Sequence, residues 1–180
     1  MKLAEFLLRC AGWKVKCTVP DYPKCIICVA PHTTNWDFII GKLAYSSVGR
    51  KAGFLMKASW FFFPLGLLLR AMGGIPVERK RKTVSLTQVV TDKFRTADKM
   101  VIAIAAEGTR SRTAQWHTGF LRIAYEANVP IVLGAIDGGT RTCFLTKVFI
   151  PTGDLDLDMR NVKEYYSQFT AIYPERFTTD

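Results

Sequence analysis

Hydrophobic and polar positions change period repeatedly along this chain. Residues 13–19 alternate, with Trp13, Val15, Cys17 and Val19 on one side and Lys14, Lys16 and Thr18 on the other, which predicts a half-buried strand. Asp21-Tyr22-Pro23 is a turn, and Cys25 to Ala30 is an unbroken apolar run of the kind found in strands covered on both faces. A helix is predicted from near Asn35 to about Ser47 and a short strand from Gly53 to Met56. Ser59 to Met72 is mostly apolar, is broken by Pro64 and Gly66, and ends at Gly73-Gly74. A strand restarts over 75–78. Leu86, Val90, Phe94 and Ala97 form a helical stripe within Thr83–Ala97. A buried strand follows at Met100–Ala105, a helix at Thr118–Ala127, and strands at Pro130–Ile136 and Thr142–Ile150. Met159, Val162, Tyr166, Phe169 and Tyr173 keep helical spacing in the tail.

Strands alternating with helices predict an α/β, three-layer single domain over residues 1–180, with a largely parallel or mixed central sheet flanked by helices. No internal repeat, low-complexity tract or linker interrupts the pattern. Functional loops of such sheets lie at the carboxyl ends of strands.

Charge sharpens the picture. The chain carries a formal net charge of +10, and all of it resides in residues 1–82, whereas residues 83–180 are neutral. That asymmetry predicts one face that meets an anionic partner such as acidic lipid, nucleic acid or an acidic carrier protein. Nucleic acid is disfavoured, because aromatics do not interleave with Lys and Arg on one strand face. With 49% hydrophobic residues there is apolar surface to place beyond the core. No run of about 18 uncharged apolar residues exists for a membrane span. Residues 1–13 read either as an amphipathic helix lying in a membrane interface or as an ordinary packed helix. Trp60 to Leu69, following Lys57, reads either as a buried core helix or as an interfacial segment with aromatics at head-group depth. The five cysteines follow no secretory signal, so reduced thiols in a cytosolic chain are expected. Cys25 and Cys28, three apart on a strand, face opposite ways and do not share a metal.

Three constellations carry chemistry. His32 follows a buried strand directly, and Asp37 comes five residues later in the first turn of the next helix. With His32 in the preceding loop, the carboxylate can reach the imidazole, fix its tautomer and leave the other nitrogen to take a proton from a hydroxyl; the plainer reading is a capping Asp beside a loop His. Glu107-Gly108-Thr109-Arg110-Ser111 follows the next buried strand, with a glycine for close backbone approach and polar groups suited to phosphate, or else a solvated polar turn. Gly74 to Arg79 places a strand before a cationic cluster, and Arg79 at its end could hold a phosphate bidentately. The adjoining Lys80, Arg81 and Lys82 would add about 1 kcal/mol each near an anionic lipid surface. His117 is expected at a pocket rim or on the surface. No Gly-x-Ser-x-Gly nucleophile elbow is present.

Together these residues resemble the glycerolipid acyltransferase family, typified by 1-acylglycerol-3-phosphate acyltransferases. Four blocks occur in order within a motif-bearing core at 30–136: His32 to Asp37 (His-x4-Asp), Gly74 to Arg79, Glu107 to Ser111, and Val129-Pro130-Ile131-Val132. Pro31, Thr34, Ser59 and Ala106 depart from the commonest family pattern. The resemblance implies that His32 is the general base and Asp37 its partner, that Arg79 and Lys57 bind the acceptor's phosphate, and that Glu107, Gly108, Thr109 and Arg110 complete the acceptor pocket. It implies an acyl thioester of coenzyme A or acyl carrier protein as co-substrate, a lysophospholipid or related acceptor, and no metal, cofactor or acyl-enzyme. The expected location is cytoplasmic, peripheral on the inner face of the cell membrane.

Overall fold

The uninterrupted apolar runs become the middle of the molecule. In a computed structural model that describes residues 3–77 and 85–180, the strands are β1 (Lys14–Cys17), β2 (Lys24–Ala30), β3 (Gly53–Lys57), β4 (Gly74–Val77), β5 (Met100–Ala105), β6 (Ile131–Asp137) and β7 (Thr142–Phe149). The helices are α1 (Leu3–Cys10), α2 (Asn35–Ser47), α3 (Leu65–Ala71), α4 (Leu86–Thr96), α5 (Gly119–Ala127) and α6 (Leu155–Tyr166). Among the described residues the strands form one sheet in the order β1-β7-β6-β2-β5-β3-β4. Every neighbouring pair is parallel except β6 with β7. This is the mixed, largely parallel three-layer architecture that the alternation of elements predicts.

The sheet divides the core in two. On one face Ile26, Cys28, Ile102, Ile131 and Leu133 meet α4, α5 and α6 through Val90, Phe94, Phe120, Leu121, Val162 and Tyr166. On the other, Cys25, Ile27 and Val132 pack with Tyr45 of α2, while Ile136 and Cys143 pack with Ile40 and Ala44 of α2 and Leu8 of α1. Cys25 and Cys28 therefore do face opposite layers. α1 packs on α2. Lys42 of α2 donates to the carbonyls of Ala52 and Met72 (both 2.8 Å), which ties in the end of α3.

Parallel pairing sends the carboxyl ends of β2, β5, β3 and β4 to a single edge, in register: Val29 opposite Ala105, and Lys57 opposite Val77. The loops at that edge are the ones that carry the polar motifs.

The tail departs from its periodicity. α6 ends at Tyr166, so Phe169 and Tyr173 lie beyond the helix. The chain turns there because Thr170 is captured by the β6–β7 connection: its N–H donates to Asp137 Oδ1 (3.0 Å), and its carbonyl accepts from Gly138 N–H (2.7 Å). A Cβ on Gly138 would lie 2.8 Å from the Ala171 carbonyl, so that close approach requires glycine. Phe169 still joins the core from the loop, its ring 5.3 Å from that of Phe144.

Candidate active site

β2 ends at Ala30, and a cis Ala30–Pro31 bond leads directly into His32. Thr34 is the N-cap of α2 and Asp37 its N3 residue, and the two form a capping box. Asp37 is 2% exposed. Its Oδ2 accepts from the Thr33 and Thr34 N–H groups at 2.6 and 2.8 Å, and the same oxygen lies 3.7 Å from His32 Nδ1. Asp37 Oδ1 is buried and has no hydrogen-bond partner among the described residues. The capping role and the imidazole-partner role, which compete as readings of the sequence, fall on one carboxylate. At 3.7 Å the pair makes an electrostatic contact, longer than a hydrogen bond. With Nδ1 turned to Asp37, Nε2 is the nitrogen left for a ligand.

Burial, reinforced by the Arg110 charge, lowers the His32 pKa to about 4, so the ring is neutral near pH 7. Burial raises the Asp37 pKa, against the pull of the Thr34 and Thr33 N–H groups and Arg110.

Glu107 is the second buried carboxyl, 5% exposed. Its Oε2 accepts from His32 N–H at 2.8 Å, a bond between the loops after β5 and β2. Burial lifts its pKa to about 8, opposed by that hydrogen bond and aided by the nearby Asp37 charge. Gly108 has φ +64°, which favours glycine, and the His117 ring lies where a Cβ would project, so a larger residue would have to displace that ring. Thr109 Oγ1 accepts from Ser111 N–H at 3.2 Å. Arg110 is exposed, with its charge close enough to act on both His32 and Asp37. His117 is exposed at the rim of an open cleft of about 770 Å³ that starts at Glu107 and is walled by α6.

Lys57 is exposed at the end of β3, opposite Val77 of β4. Arg79, with Lys80 to Lys82, lies outside the described residues. The segment from Trp60 to Leu69 is not a buried core helix: Trp60, Phe62, Phe63, Leu67 and Leu68 are exposed, and Leu69 alone among its large side chains is buried. No described helix is long and apolar enough to cross a membrane. The thiols of Cys25, Cys28 and Cys143 are each pushed up to about 12 by burial, so none of the three is poised as a nucleophile. No group of three His, Cys, Asp or Glu among the described residues is arranged to hold a metal.

The tail supplies contacts that sequence reasoning missed. Thr33 is fully buried; its hydroxyl accepts from Tyr173 N–H (3.3 Å) and its carbonyl from the Arg176 guanidinium (3.4 Å). Trp116 Nε1–H donates to the Thr178 carbonyl at 3.3 Å. No spacing signal ties Tyr173 or Arg176 to the loop they touch, about 140 residues away.

At the carboxyl edge of a mostly parallel sheet, a neutral imidazole lies beside a buried carboxylate, with an arginine-bearing glycine turn next to it. The chain belongs to the Acyltransferase family, whose model matches residues 15–136 and so spans β1 to the end of β6 with both motif loops. No curated protein matches it. Among solved structures it is similar to the 1-acyl-sn-glycerophosphate (LPA) acyltransferase PlsC from Thermotoga maritima, at 18% identity and a TM-score of 0.64, covering 92% of this chain and 74% of that one. At that identity the likeness establishes a shared fold. α6 and the tail lie outside the family match.

Proposed function

We propose that this acyltransferase moves a fatty acyl group from an acyl thioester, of coenzyme A or acyl carrier protein, to the hydroxyl of a lysophospholipid or related lipid acceptor. The observation that carries the reading is the neutral His32 ring with Nδ1 turned to a buried carboxylate. Nε2 takes the acceptor's hydroxyl proton as the oxygen attacks the thioester carbonyl. The tetrahedral adduct collapses with loss of the thiolate, and the imidazolium returns its proton to the sulfur. Asp37 favours the imidazolium while it exists. Lys57 and Arg79, at or just beyond neighbouring strand ends, take the acceptor's phosphate, and Arg110 adds positive charge at the mouth. The acyl group passes directly between substrates, so neither a metal nor an enzyme nucleophile takes part.

The acceptor is reached at an anionic membrane surface. Exposed apolar side chains lie on α1 (Leu3, Phe6, Leu7), on α2 (Trp36, Ile39) and on the stretch through α3 (Trp60, Phe62, Phe63, Leu67, Leu68). α1 and α3 both adjoin α2, and Trp36 and Ile39 flank Asp37 along the chain, so this surface borders the catalytic loop. The +10 charge favours an acidic bilayer. The proposed position is peripheral, on the cytoplasmic face of the cell membrane.

The test is transfer from an acyl thioester to a panel of lysolipids, with His32→Ala beside the wild type. The substitution is expected to slow transfer by about 10²–10⁴-fold. Undiminished transfer by His32→Ala would remove the mechanism. Vesicle binding without transfer to any acceptor would leave a non-catalytic membrane-binding domain.

A further inference from the structure

The inner end of the cleft carries Glu107, Gly108 and Thr109, expected from the resemblance to complete the acceptor pocket, whereas its outer part, from Thr113 to α6, has no role in the reaction as derived so far. It runs from the β5–α5 loop to α6, the helix that lies outside the family match. We propose that it binds the phosphopantetheine arm of the acyl donor, which deepens the acyl-transfer reading and rests on it.

Position comes first. Glu107 lines the cleft, and its carboxyl accepts from the His32 backbone N–H at 2.8 Å, so one buried side chain joins the inner end of the cleft to the loop that carries the base. α6 packs on the sheet face opposite to α1 and α2. The exposed apolar side chains of α1 and α2 and the α6 wall of the cleft are therefore on opposite layers. A lipid acceptor arrives from one side, and a water-soluble carrier reaches the other without meeting the bilayer.

The lining has matching chemistry. A pantetheine arm is a chain of methylenes broken by two amides and a hydroxyl, ending in a phosphate. Thr113 and Gln115 offer hydrogen bonds, and Met159 of α6 offers apolar contact. At the α6 end Arg160 is exposed and makes no hydrogen bond or ion pair with any described residue, so its guanidinium is available for a phosphate. Lys163 is engaged: it donates to the Ala114 carbonyl (2.8 Å) and more weakly to that of Asp180 (3.4 Å), which fastens the loop to α6 while its charge stays at the cleft. Asp156 and Glu107 are the carboxyl groups of the lining. A volume of about 770 Å³ is within the range of small-molecule and cofactor sites.

Titration calorimetry with coenzyme A, and with holo and apo acyl carrier protein, tests the assignment. Wild type is compared with Arg160→Glu, with Thr113→Trp, which fills the cleft from an exposed loop, and with Arg122→Glu on the outer face of α5, well outside the cleft. Thermal melts confirm that each variant is folded. Arg160→Glu and Thr113→Trp should weaken binding about tenfold or more and raise the donor KM in parallel, while Arg122→Glu matches wild type. Binding of coenzyme A identifies the free cofactor as the source of the arm, and binding of only the holo carrier identifies the carrier protein. Equal affinity in all four proteins overturns the proposal. So does failure of both donors to bind, or a rise in acceptor KM in place of donor KM. Transfer that proceeds with a donor KM indifferent to Arg160→Glu sinks the cleft and spares the acyl-transfer reading. Coenzyme A binding that responds to Arg160→Glu in a protein that transfers to no acceptor does the reverse.

Discussion

The loop after β2 and the stretch after β3 leave the same edge of the sheet and are built on opposite principles. In the first, the backbone N–H groups of residues 32, 33 and 34 all donate to buried carboxylates, from Glu107 and Asp37, and the tail grips Thr33 from outside. In the second, residues 58–71 expose most of their large side chains, and Phe63 is 82% exposed. Lys42 holds the Met72 carbonyl just past the far end of the stretch, Leu69 is buried, and Arg70 lies over the Phe61 ring at 5.3 Å within the stretch itself. A reacting imidazole has to be held in place, and many hydrogen bonds to buried acceptors hold it. A surface that meets lipid needs apolar area, and hydrogen bonds from its side chains would serve no purpose there.

Substitutions can break this contrast. Asp37→Ala removes the acceptor of two N–H groups and the partner of His32. It should slow transfer by about 10²–10⁴-fold and destabilise the protein by about 1–3 kcal/mol. Asp37→Asn keeps one acceptor oxygen, so urea titrations should show it recovering stability without the rate. If stability and rate recover together, the carboxylate charge has no catalytic part. On the other loop, Phe63→Glu with Leu67→Glu should leave the melting temperature near wild type while cutting binding to anionic vesicles about tenfold or more. A large fall in melting temperature would mean that these side chains belong to the core.

Glu107 gives a pH test. A carboxyl raised to about 8 in the fold binds its proton where the unfolded chain has lost it, so its contribution to stability is present in acid and lost as pH rises through 8. Comparison with Glu107→Gln cancels the other groups that titrate between pH 7 and 9, which isolates Glu107. Wild type should lose about 1 kcal/mol across that window relative to Glu107→Gln, whose amide oxygen still accepts from His32 N–H. Equal slopes in denaturant melts would mean that the carboxyl is solvated. The same burial sets the acidic limb of kcat/KM near pH 4 rather than 6.5 for His32, and a limb at 6.5 would place the ring in water. Smallest is Arg176→Ala, which deletes the 3.4 Å bond to Thr33. Here about 0.5 kcal/mol of stability and a few-fold loss in kcat are expected, and full activity would show that the tail does not help to place the loop.

How much was legible follows from the range of each signal. β2, α2, β5 and β6 were readable to within a residue or two because their apolar patterns are local. The end of α6 was not, because Met159, Val162 and Tyr166 continue in phase to Phe169 and Tyr173, and a contact with the β6–β7 connection stops the helix. In the site, His32, Asp37 and Glu107 were visible as motif residues. That Glu107 spends its carboxylate on the His32 backbone, 75 positions away, was not.

The sequence by itself determined the alternation of elements, the basic first half and the residue types at the strand ends, since all of these depend on neighbours a few positions apart. The tertiary structure alone decided that two carboxyls converge on one imidazole loop, that the residues after β3 face outward, and that α6 walls a cleft that starts at Glu107. Parallel pairing and the crossing of helices over two faces bring together residues that no local pattern relates, and burial then sets their charge.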